Sequence, residues 1–417
     1  MRTGLIVRRA LAALAALALC QAAPAAPARP GETWVASWAS AQQVPEPHNS
    51  LPADALDDAT LRQLVRLSIG GNRLRVRVSN RFGTEPLRIS AASVAPAADP
   101  ASPRLGGAAR RLTFAGLDHV TIPAGAEFVS DPVQLVVAPL ATLAISLHFP
   151  KAPARQTGHP GSRATSYWQA GDQVSAPDLA GASKVDHWYQ LAGVEVEAAR
   201  GSAAIAAFGD SITDGNGVLP NTNKRWTDYL AQRLQASPAT RHIAMLNLGI
   251  GGNRLLLDGL GPNALARFER DVLGQPGIRW VIILEGVNDL GTLTRDGPVS
   301  PERHRALVEQ MIAAYSQMVQ RARERGVKVI ASTILPYGAS EYYHPDAANE
   351  ADREAVNNWL RTPGNVDHLV DLDALMRDPK APTRLRREFD KGDGLHPSDA
   401  GYRFMADAVP LDLFVRR

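Results

Sequence analysis

Apolar and polar residues alternate along much of the chain between about residue 34 and residue 197. Alternation with a period of two predicts strands that bury one face, and the glycines and prolines between the runs predict turns. The two clearest runs flank Gly70-Gly71-Asn72, which predicts a hairpin. Their apolar members are Val65, Leu67, Ile69, Leu74, Val76 and Val78. We therefore expect residues 31–198 to form an antiparallel β-sandwich domain that is jelly-roll-like.

From residue 202 onward, short apolar runs alternate with longer amphipathic stretches. The apolar runs are at residues 203–208, 243–248, 280–284, 327–333 and 368–372. The amphipathic stretches are at residues 226–234, 264–273, 301–325 and 348–360. A last helix is expected to begin at Ser398 or Asp399, either of which can cap it. Strands that alternate with helices predict a parallel sheet covered on both faces, so residues 200–417 are expected to form an α/β domain.

The first 28 residues have the order of a signal peptide. Arg2, Arg8 and Arg9 precede an apolar run at residues 11–19, and two Ala-x-Ala patterns follow within residues 23–28. This order predicts export to the periplasm or the cell exterior, followed by cleavage of residues 1–28. The apolar run is too short to cross a bilayer as a helix, so no integral membrane association of the mature chain is expected. Cleavage would also remove Cys20, the only cysteine.

The charge of the chain argues against one class of partner. The formal net charge of the 417 residues is +3, and the three arginines of the predicted signal peptide account for all of this excess. A mature chain without a basic excess offers no general electrostatic attraction to nucleic acid, so none is expected as a partner. The content of 45% hydrophobic and 21% charged residues is that of a globular protein with a sizeable core.

Two segments carry residues suited to nucleophilic catalysis. Residues 208–215, Phe-Gly-Asp-Ser-Ile-Thr-Asp-Gly, place Ser211 just after a predicted strand. Parallel sheets present ligands at the carboxyl ends of their strands, and a serine there can attack once a base removes its proton. A serine or aspartate in this position can equally cap a helix. The second segment, Asp393-Gly394-Leu395-His396-Pro397, can bring a carboxylate and an imidazole together through a tight turn.

Two further segments can supply hydrogen-bond donors. Residues 247–253, Asn-Leu-Gly-Ile-Gly-Gly-Asn, follow the second predicted strand, and their glycines let backbone N–H groups approach a ligand closely. Gly286-Val287-Asn288-Asp289 follows the third predicted strand, and its side-chain amide can donate to a developing oxyanion. Each of these segments, taken alone, also fits an ordinary turn.

In chain order, the four segments resemble the four blocks of the SGNH hydrolases, also called the GDSL esterase/lipase family, over about half of the chain. The resemblance implies a flavodoxin-like three-layer α/β/α fold and ester hydrolysis. It implies Ser211 as the nucleophile, with Asp393 and His396 as the acid and base of a triad. It also implies an oxyanion hole made of the Ser211 and Gly252 N–H groups and the Asn288 amide. Some members carry a β-sandwich ahead of this module and act on acylated carbohydrates.

The sequence therefore predicts a secreted serine esterase whose substrates are small-molecule or polysaccharide esters, with short acyl groups expected. Two alternatives keep the same site: a lipase or lysophospholipase-type esterase, and an O-acyltransferase in which a sugar hydroxyl replaces water. An alternative of another class, a catalytically idle carbohydrate-binding protein, is disfavoured because every expected catalytic position is filled. No metal or cofactor is expected, because the sequence has neither metal-ligand spacing nor a Gly-Lys-Ser/Thr phosphate loop.

Other conspicuous side chains are expected to be mainly structural. The acidic residues beside the motifs are expected to brace their loops, and they are Asp210, Asp214 and Asp289. The row of Arg73, Arg75 and Arg77 is interpreted as the solvated face of a strand, although such a row can bind a ligand. Aromatic residues can stack on sugars, but most are expected in the core. They are Trp34, Trp38, Tyr167, Trp168, Trp188 and Tyr189.

Overall fold

The computed structural model describes residues 33–415, so the predicted signal peptide at residues 1–28 lies outside the described residues. From residue 33 to residue 198 the chain forms strands and turns, including one 3₁₀ turn at Pro47–Asn49. The strands are β1 (Thr33–Ala39), β2 (Ala59–Arg66), β3 (Gly71–Ser79), β4 (Leu87–Ile89), β5 (Ala91–Pro96), β6 (Arg110–Arg111), β7 (Val120–Ile122), β8 (Glu127–Val129), β9 (Val133–Val137), β10 (Thr142–Phe149), β11 (Gly158–His159), β12 (Ser166–Ala170), β13 (Ser183–Val185), β14 (Trp188–Tyr189) and β15 (Leu191–Ala198). We call residues 33–198 the β region.

Two antiparallel sheets make up most of the β region. The five-stranded sheet has the order β1-β15-β3-β8, with β9 also paired to β3. The six-stranded sheet has the order β13-β12-β2-β10-β5-β6, and β11 with β14 and β4 with β7 form small separate sheets. Apolar side chains of both large sheets, such as Val76 and Leu147, belong to one core. The predicted antiparallel strands of this half are therefore present.

The predicted hairpin around Gly70-Gly71-Asn72 is wrong. β2 pairs with β10 and β12 in one sheet, whereas β3 pairs with β15, β8 and β9 in the other. Residues 67–70 carry the chain between the sheets, and on the way the N–H of Ser68 donates to the carbonyl of Ser37 at 2.9 Å. Gly70 lies so close to Val137 that a Cβ would be 2.3 Å from its carbonyl oxygen. Alternation identifies the buried face of a strand but does not choose its partner strand.

Residues 203–415, which we call the α/β region, alternate strands with helices. The strands are β16 (Ala203–Gly209), β17 (Ile243–Gly249), β18 (Ile278–Leu284), β19 (Lys328–Ser332), β20 (His368–Val370), β21 (Arg377–Asp378) and β22 (Ala381–Leu385). The helices are α1 (Ser211–Asp214), α2 (Trp226–Ala236), α3 (Ala264–Phe268), α4 (Val287–Thr294), α5 (Pro301–Glu324), α6 (Ala347–Arg361), α7 (Leu372–Met376) and α8 (Asp399–Ala408). A π-helical turn at Glu269–Leu273 continues α3, and a 3₁₀ turn at Leu411–Phe414 follows α8. None of the helices in the described chain combines the length and apolar character needed to cross a membrane.

A parallel sheet with the order β17-β16-β18-β19-β20 confirms the five predicted strands. Its helices form two groups, because α2 packs against α8 whereas α5 packs against α3 and α6. Ser398 caps α8 by accepting a hydrogen bond from the N–H of Gly401, as predicted. The strand predicted at 368–372 ends earlier, at Val370, because Asp371 caps α7. The periodicity did not predict α1 or α4, which are short and begin within the motif segments.

The β region covers one edge of the parallel sheet. β17 is the edge strand, and β1 packs against it. The N–H of Met245 in β17 donates to Ser68 Oγ at 2.6 Å, and the N–H of Ala36 in β1 donates to the carbonyl of Pro276 at 2.9 Å. Because an uncovered sheet edge is a template for pairing with other chains, these contacts protect the edge as well as joining the two regions.

The arginine row on β3 is not a freely solvated face, so that interpretation is wrong. Arg73 is paired with Glu197, and Arg75 and Arg77 each lie 2.5 Å from an oxygen of Glu195. The three arginine side chains are only 25–28% exposed, and both glutamates lie on the neighbouring strand β15. Opposite charges on adjacent strands therefore neutralise the row.

Most of the conspicuous aromatic residues pack in the core, as expected. The rings of Trp38 and Trp188 meet edge to face with their centroids 4.8 Å apart. Tyr167 and Tyr189 are buried. Trp34 is instead covered by a guanidinium, since the Arg75 side chain lies 4.5 Å from the centroid of its ring. These aromatic side chains are thus engaged in packing rather than displayed for a ligand.

Candidate active site

The turn after β16 places Ser211 at the carboxyl end of the parallel sheet. β16 ends at Gly209, and Ser211 is the first residue of α1. Asp210 caps α1 by accepting a hydrogen bond from the N–H of Ile212 at 2.9 Å. A side chain at Gly209 is excluded, because a Cβ would lie 2.3 Å from the carbonyl oxygen of Leu284. This sharp turn leaves Ser211 lining an open cleft, with 8% of the residue exposed.

Two hydrogen bonds join Ser211, His396 and Asp393. Ser211 Oγ lies 2.8 Å from His396 Nε2, and His396 Nδ1 lies 2.8 Å from Asp393 Oδ2. An ionised carboxylate only accepts, so Nδ1 carries a hydrogen and donates it to Asp393. Nε2 is then left to accept from the serine hydroxyl. The fold thereby brings together side chains that are 185 positions apart in the sequence.

The loop that carries Asp393 fixes the imidazole. Asp393 Oδ1 accepts the N–H groups of Leu395 at 3.1 Å and of His396 at 2.8 Å. Gly394 between them has φ +67°, and a Cβ there would lie 2.3 Å from the backbone of Ala339. One oxygen of Asp393 therefore shapes the turn while the other orients the ring.

Asp393 is held in its ionised form. Burial by itself raises the pKa of its carboxyl, but hydrogen bonds from the ring and the N–H of His396 and from Lys391 outweigh burial, and the pKa lies well below its usual value. Lys391 Nζ is 3.0 Å from Asp393 Oδ2. The carboxylate is thus negatively charged across the ordinary pH range and can stabilise a positively charged imidazole.

The amide of Asn288 is fixed through both of its polar atoms. Its Oδ1 accepts from the hydroxyl of Tyr343 at 2.6 Å, and its Nδ2 donates to the carbonyl of Asn253 at 2.7 Å. Gly286, with φ +109°, turns the chain from β18 into α4, on which Asn288 is the second residue. Because an amide nitrogen carries two hydrogens, one N–H of Asn288 remains for the cleft that this residue lines.

Ser211 and Gly252 carry the two backbone N–H groups of the predicted oxyanion hole. The N–H of Ser211 is at the first position of α1, where a helix offers no internal acceptor. Gly252 has φ +72° in the loop after β17, and a Cβ there would lie 2.5 Å from Leu260 Cδ1. Both residues line the same cleft as Asn288. The residues predicted for the triad and for the oxyanion hole are therefore gathered around one cleft.

The acidic residues beside the motifs brace their loops, as expected. Asp289 accepts the N–H groups of Leu255 at 2.8 Å and of Leu256 at 3.1 Å. Asp214 accepts the N–H of Gly251 at 3.1 Å. Both carboxylates thus hold the glycine-rich loop after β17 against the turns that carry Ser211 and Asn288.

A buried arginine ties the ends of two strands together beneath these loops. The guanidinium of Arg267, which is 1% exposed, donates to the carbonyls of Gly209 at 2.9 Å and Leu248 at 2.8 Å. It also donates to Asn253 Oδ1 at 2.8 Å. Sequence reasoning missed Arg267, because a single arginine on a predicted amphipathic helix gives no signal that it will be buried.

Three acidic residues near these strand ends hold their protons more tightly than usual. Burial raises the pKa of Asp210 to about 7 and the pKa of Asp289 to about 6. Burial, reinforced by the nearby Asp210 carboxyl, raises the pKa of Glu285 well above its usual value. Within the part of the chain that the structure describes, neither side-chain oxygen of Glu285 has a hydrogen-bond partner. The strand ends around the site therefore enclose a region that disfavours negative charge.

Two further residues that sequence reasoning missed contact the motif segments. Tyr343 contacts Asn288, and Gly291 makes room for it, since a Cβ there would lie 2.3 Å from the tyrosine ring. From the β region, His159 Nε2 lies 3.0 Å from Asp214 Oδ1, and its Nδ1 lies 2.7 Å from the carbonyl of Ala41. Each of these two contacts joins residues 55 positions apart, so no local pattern marks it.

The cleft around Ser211 and His396 has a volume of about 1050 Å³. One wall belongs to the α/β region, and the other comes from the β region. The β-region lining residues are Gln43, Glu46, His48, Asn49, Pro160, Gly161, Arg163 and His187. Among residues 33–415, no group of three or more His, Cys, Asp or Glu side chains is placed to hold a metal ion.

The sheet, its loops and a family match together define the class of protein as a carboxylic ester hydrolase. Residues 207–404 match the model of the GDSL-like Lipase/Acylhydrolase family. These residues therefore form a GDSL-like lipase/acylhydrolase domain, which confirms the resemblance to the SGNH hydrolases. All four motif segments lie inside the matched region.

Solved structures show similarity over about half of the chain. The acetylxylan esterase Axe2 from Geobacillus stearothermophilus is 24% identical, and the match covers 50% of this chain and 93% of that chain with a TM-score of 0.37. A GDSL-like lipase from Bacteroides thetaiotaomicron is 20% identical, with 49% of this chain and 84% of that chain covered and a TM-score of 0.36. No curated protein matches the chain.

Proposed function

We propose that this ester hydrolase forms an acyl-enzyme on Ser211, with His396 as general base and Asp393 as the residue that orients it. The observation that carries the proposal is the hydrogen-bonded chain from Ser211 Oγ through His396 to Asp393. A serine hydroxyl becomes a strong nucleophile only when a base takes its proton, and His396 Nε2 is within 2.8 Å. The ionised Asp393 favours the positively charged imidazole that results.

The proposed reaction has two stages. Ser211 Oγ attacks the ester carbonyl while His396 takes its proton, and the tetrahedral intermediate expels the alcohol as His396 returns that proton to the leaving oxygen. In the second stage His396 takes a proton from water, which attacks the acyl-enzyme, and Ser211 regains its proton as the acid leaves. Both stages pass through an oxyanion, so donors placed before the reaction lower both barriers.

The proposed oxyanion hole consists of the Ser211 and Gly252 N–H groups and the free N–H of Asn288. Tyr343 and Asn253 support this role, because their contacts fix the plane of the Asn288 amide before a substrate arrives. A donor held in advance needs no reorganisation when charge develops on the substrate oxygen. Tyr343 is thus a positioning residue, which acts through Asn288.

We propose short acyl groups on carbohydrates or other small polar esters as substrates. The cleft is open, and polar side chains outnumber the large apolar ones in its lining, among them Glu46, Asn49 and Arg254. A polar wall suits a leaving group rich in hydroxyls, whereas a long acyl chain requires a continuous apolar channel. Apolar lining residues such as Leu260 and Leu395 are few. This contrast favours a polar ester over a lipid.

The domain boundaries and the export that the sequence predicts are also proposals. We propose a β-sandwich domain at residues 31–198, a flavodoxin-like hydrolase domain at 200–417, and export with removal of residues 1–28. The change from antiparallel to parallel pairing between β15 and β16 supports the division. The order of arginines, apolar run and small residues supports export. An exported enzyme would encounter polysaccharide esters outside the cytoplasm.

Hydrolysis of p-nitrophenyl esters from acetate to palmitate tests the proposal. Ser211→Ala is expected to lower kcat by about 10⁴-fold or more, because the nucleophile is lost. Ser332→Ala is a matched control, since Ser332 is a buried serine at the end of β19 that does not line the cleft. Near-normal turnover by Ser211→Ala would overturn the assignment of the nucleophile.

A fluorophosphonate probe separates an active enzyme from an idle binding protein. Covalent labelling of the native chain, and its absence in Ser211→Ala, is the expected result, because the probe reacts only with an activated serine. No labelling of the native chain would favour a catalytically idle carbohydrate-binding protein. Comparing the acid released with the acyl group transferred to a sugar then distinguishes a hydrolase from an O-acyltransferase.

A further inference from the structure

The loop after β11 brings an arginine of the β region into the cleft. Gly161 on this loop lies against the α/β region, because a Cβ there would be 1.7 Å from Asp214 Oδ2. Two residues later, Arg163 lines the same cleft as Ser211 and His396. The β region thus supplies a positively charged side chain to a cleft whose reactive groups belong to the α/β region.

The backbone around Arg163 is held firmly. The carbonyl of Arg163 accepts the N–H of Asn221 at 2.8 Å, and Asn221 Oδ1 accepts the N–H of Thr165 at 2.8 Å. Ser162 Oγ donates to the carbonyl of Asp186 at 2.8 Å. Arg163 itself has φ +50°, in the left-handed region that residues other than glycine seldom adopt. Such a conformation persists only where the surroundings impose it, and it often accompanies a functional role.

The Arg163 guanidinium has no partner among the described residues. It makes no hydrogen bond or ion pair there, and its Nε is buried without an acceptor. The carboxylate of Glu46, in the same wall of the cleft, is instead held by Gln43 Nε2 and Asn49 Nδ2, each at 2.8 Å. Leaving a partly buried cationic donor unsatisfied is unfavourable, so the site is suited to an incoming acceptor.

The other long cationic side chains of the cleft differ from Arg163 because each has an acceptor within the protein. Arg254 donates to the carbonyl of Asp258. Arg295 lies 3.5 Å from Asp296 and 3.3 Å from the hydroxyl of Tyr342. Lys391 contacts Asp393 at 3.0 Å and Asn216 at 2.6 Å. Among these four side chains, Arg163 is therefore the one that is available to bind a ligand.

We propose that Arg163 binds a carboxylate carried by the substrate, so that the preferred substrates are acylated acidic saccharides rather than neutral ones. The inference rests on the proposed esterase function. A planar guanidinium can donate two parallel hydrogen bonds to a carboxylate, which confers orientation as well as affinity. Arg163 lines the cleft that contains Ser211, so a carboxylate bound to its guanidinium would position the ester for attack.

The test compares two esters of nearly the same shape, of which only one carries a carboxylate: a mono-O-acetylated methyl glucuronoside and its neutral carboxamide. The native enzyme is expected to prefer the acid in kcat/KM, by roughly 10- to 100-fold if the guanidinium makes a charge-assisted hydrogen bond to it. Raising the NaCl concentration should reduce this preference through screening. A native ratio near one would overturn the inference without any variant.

Variants then identify the residue that causes the preference for the acid over the carboxamide. Arg163→Asn removes the charge with a residue that tolerates the left-handed backbone, and it should bring the ratio of acid to carboxamide close to one, mainly by raising KM for the acid. Arg163→Lys should retain part of the preference. Arg295→Gln, which removes another cation of the cleft, should leave the ratio unchanged. A preference that persists in Arg163→Asn would overturn the assignment to Arg163.

A third substrate separates this inference from the function on which it rests. Turnover of p-nitrophenyl acetate, which has no carboxylate, reports on the esterase site alone. Turnover and Ser211 labelling without a preference for the acid would refute only the carboxylate subsite. Absence of both turnover and labelling would instead refute the proposed esterase function, and the inference with it.

Discussion

The two regions of the chain contribute to the cleft in different ways. In the α/β region, the carboxyl ends of β16, β17 and β18 lie side by side, so the loops that follow them meet at one edge of the sheet. Gly252 lies in one of these loops, and Ser211 and Asn288 lie in the first turns of the helices that follow the other two strands. In the β region, neighbouring strands run in opposite directions and share no such edge. That region instead supplies a wall of the cleft and support for Asp214.

This difference indicates that the two regions have different roles in one cleft. The α/β region holds the groups proposed to make and break bonds, and they are braced from within by Arg267 and the buried acids. The β region contributes side chains that would decide which ester reaches them. Changes in the α/β region should therefore affect turnover of every ester, whereas changes in the β region should affect substrate preference and stability. The following predictions test these different roles, beginning with the largest expected effect.

Substituting one histidine in each region should give the largest difference in kcat. His396→Ala should lower kcat by about 10⁴-fold or more, because it removes the proposed base of Ser211. His159→Ala should lower the free energy of unfolding by ~1–3 kcal/mol, because Asp214 and Ala41 lose a buried partner, with a far smaller loss of kcat. Turnover of p-nitrophenyl acetate and thermal unfolding measure the two effects. Equal losses of kcat would show that the β region takes part in the chemistry.

The amide of Asn288 is expected to give the next largest effect. Asn288→Ala should lower kcat by roughly 10²- to 10³-fold if its N–H donates to the oxyanion. Tyr343→Phe removes only the hydroxyl that fixes this amide and should lower kcat by roughly 3- to 10-fold, since a neutral hydrogen bond contributes about 1 kcal/mol. Tyr342→Phe, at an exposed neighbouring ring, is the control. A loss of kcat under threefold for Asn288→Ala would show that Asn288 only shapes its turn.

Gly161→Ala tests the contact between the regions. The added methyl would lie 1.7 Å from Asp214 Oδ2, so either the loop or the carboxylate must move, which should destabilise the protein by ~1–3 kcal/mol. Gly107→Ala is a matched control in the same region, because its Cβ would have ordinary contact with Pro96 at 3.6 Å. Thermal unfolding of both variants measures the difference. Equal melting temperatures would mean that the two regions adjust freely at this contact.

Glu285→Gln should change the pH dependence of stability. Because burial raises the pKa of Glu285 well above its usual value, the folded chain holds this proton more tightly than the unfolded chain. The free energy of unfolding should therefore fall as the pH rises above 4.5, the ordinary pKa of a glutamate carboxyl, by up to about 1.4 kcal/mol per pH unit for one proton. Glutamine has no proton to lose, so the variant should gain stability relative to the native chain between pH 5 and pH 8. A difference in melting temperature between the variant and the native chain that stays constant over this pH range would contradict the prediction.

Sequence reasoning identified the α/β region well because its signals are local. The five parallel strands follow from five apolar runs, and Ser211 and Asn288 lie in short segments directly after two of them. Asp393 and His396 are three residues apart, so the turn that joins them can also be anticipated from the chain. The β region was less predictable, because period-two alternation fits many pairings, and the hairpin inferred from it was wrong.

By itself, then, the sequence determined which segments become strands, where the parallel strands end, and which residues follow those ends. Only the tertiary structure decided which strands pair, that Tyr343 fixes the amide of Asn288, and that His159 and Arg163 approach the cleft. The physical reason is the distance along the chain over which each interaction acts. Backbone periodicity and turn chemistry act over a few residues, whereas partners in a sheet or a cleft are chosen by packing between segments that are distant along the chain.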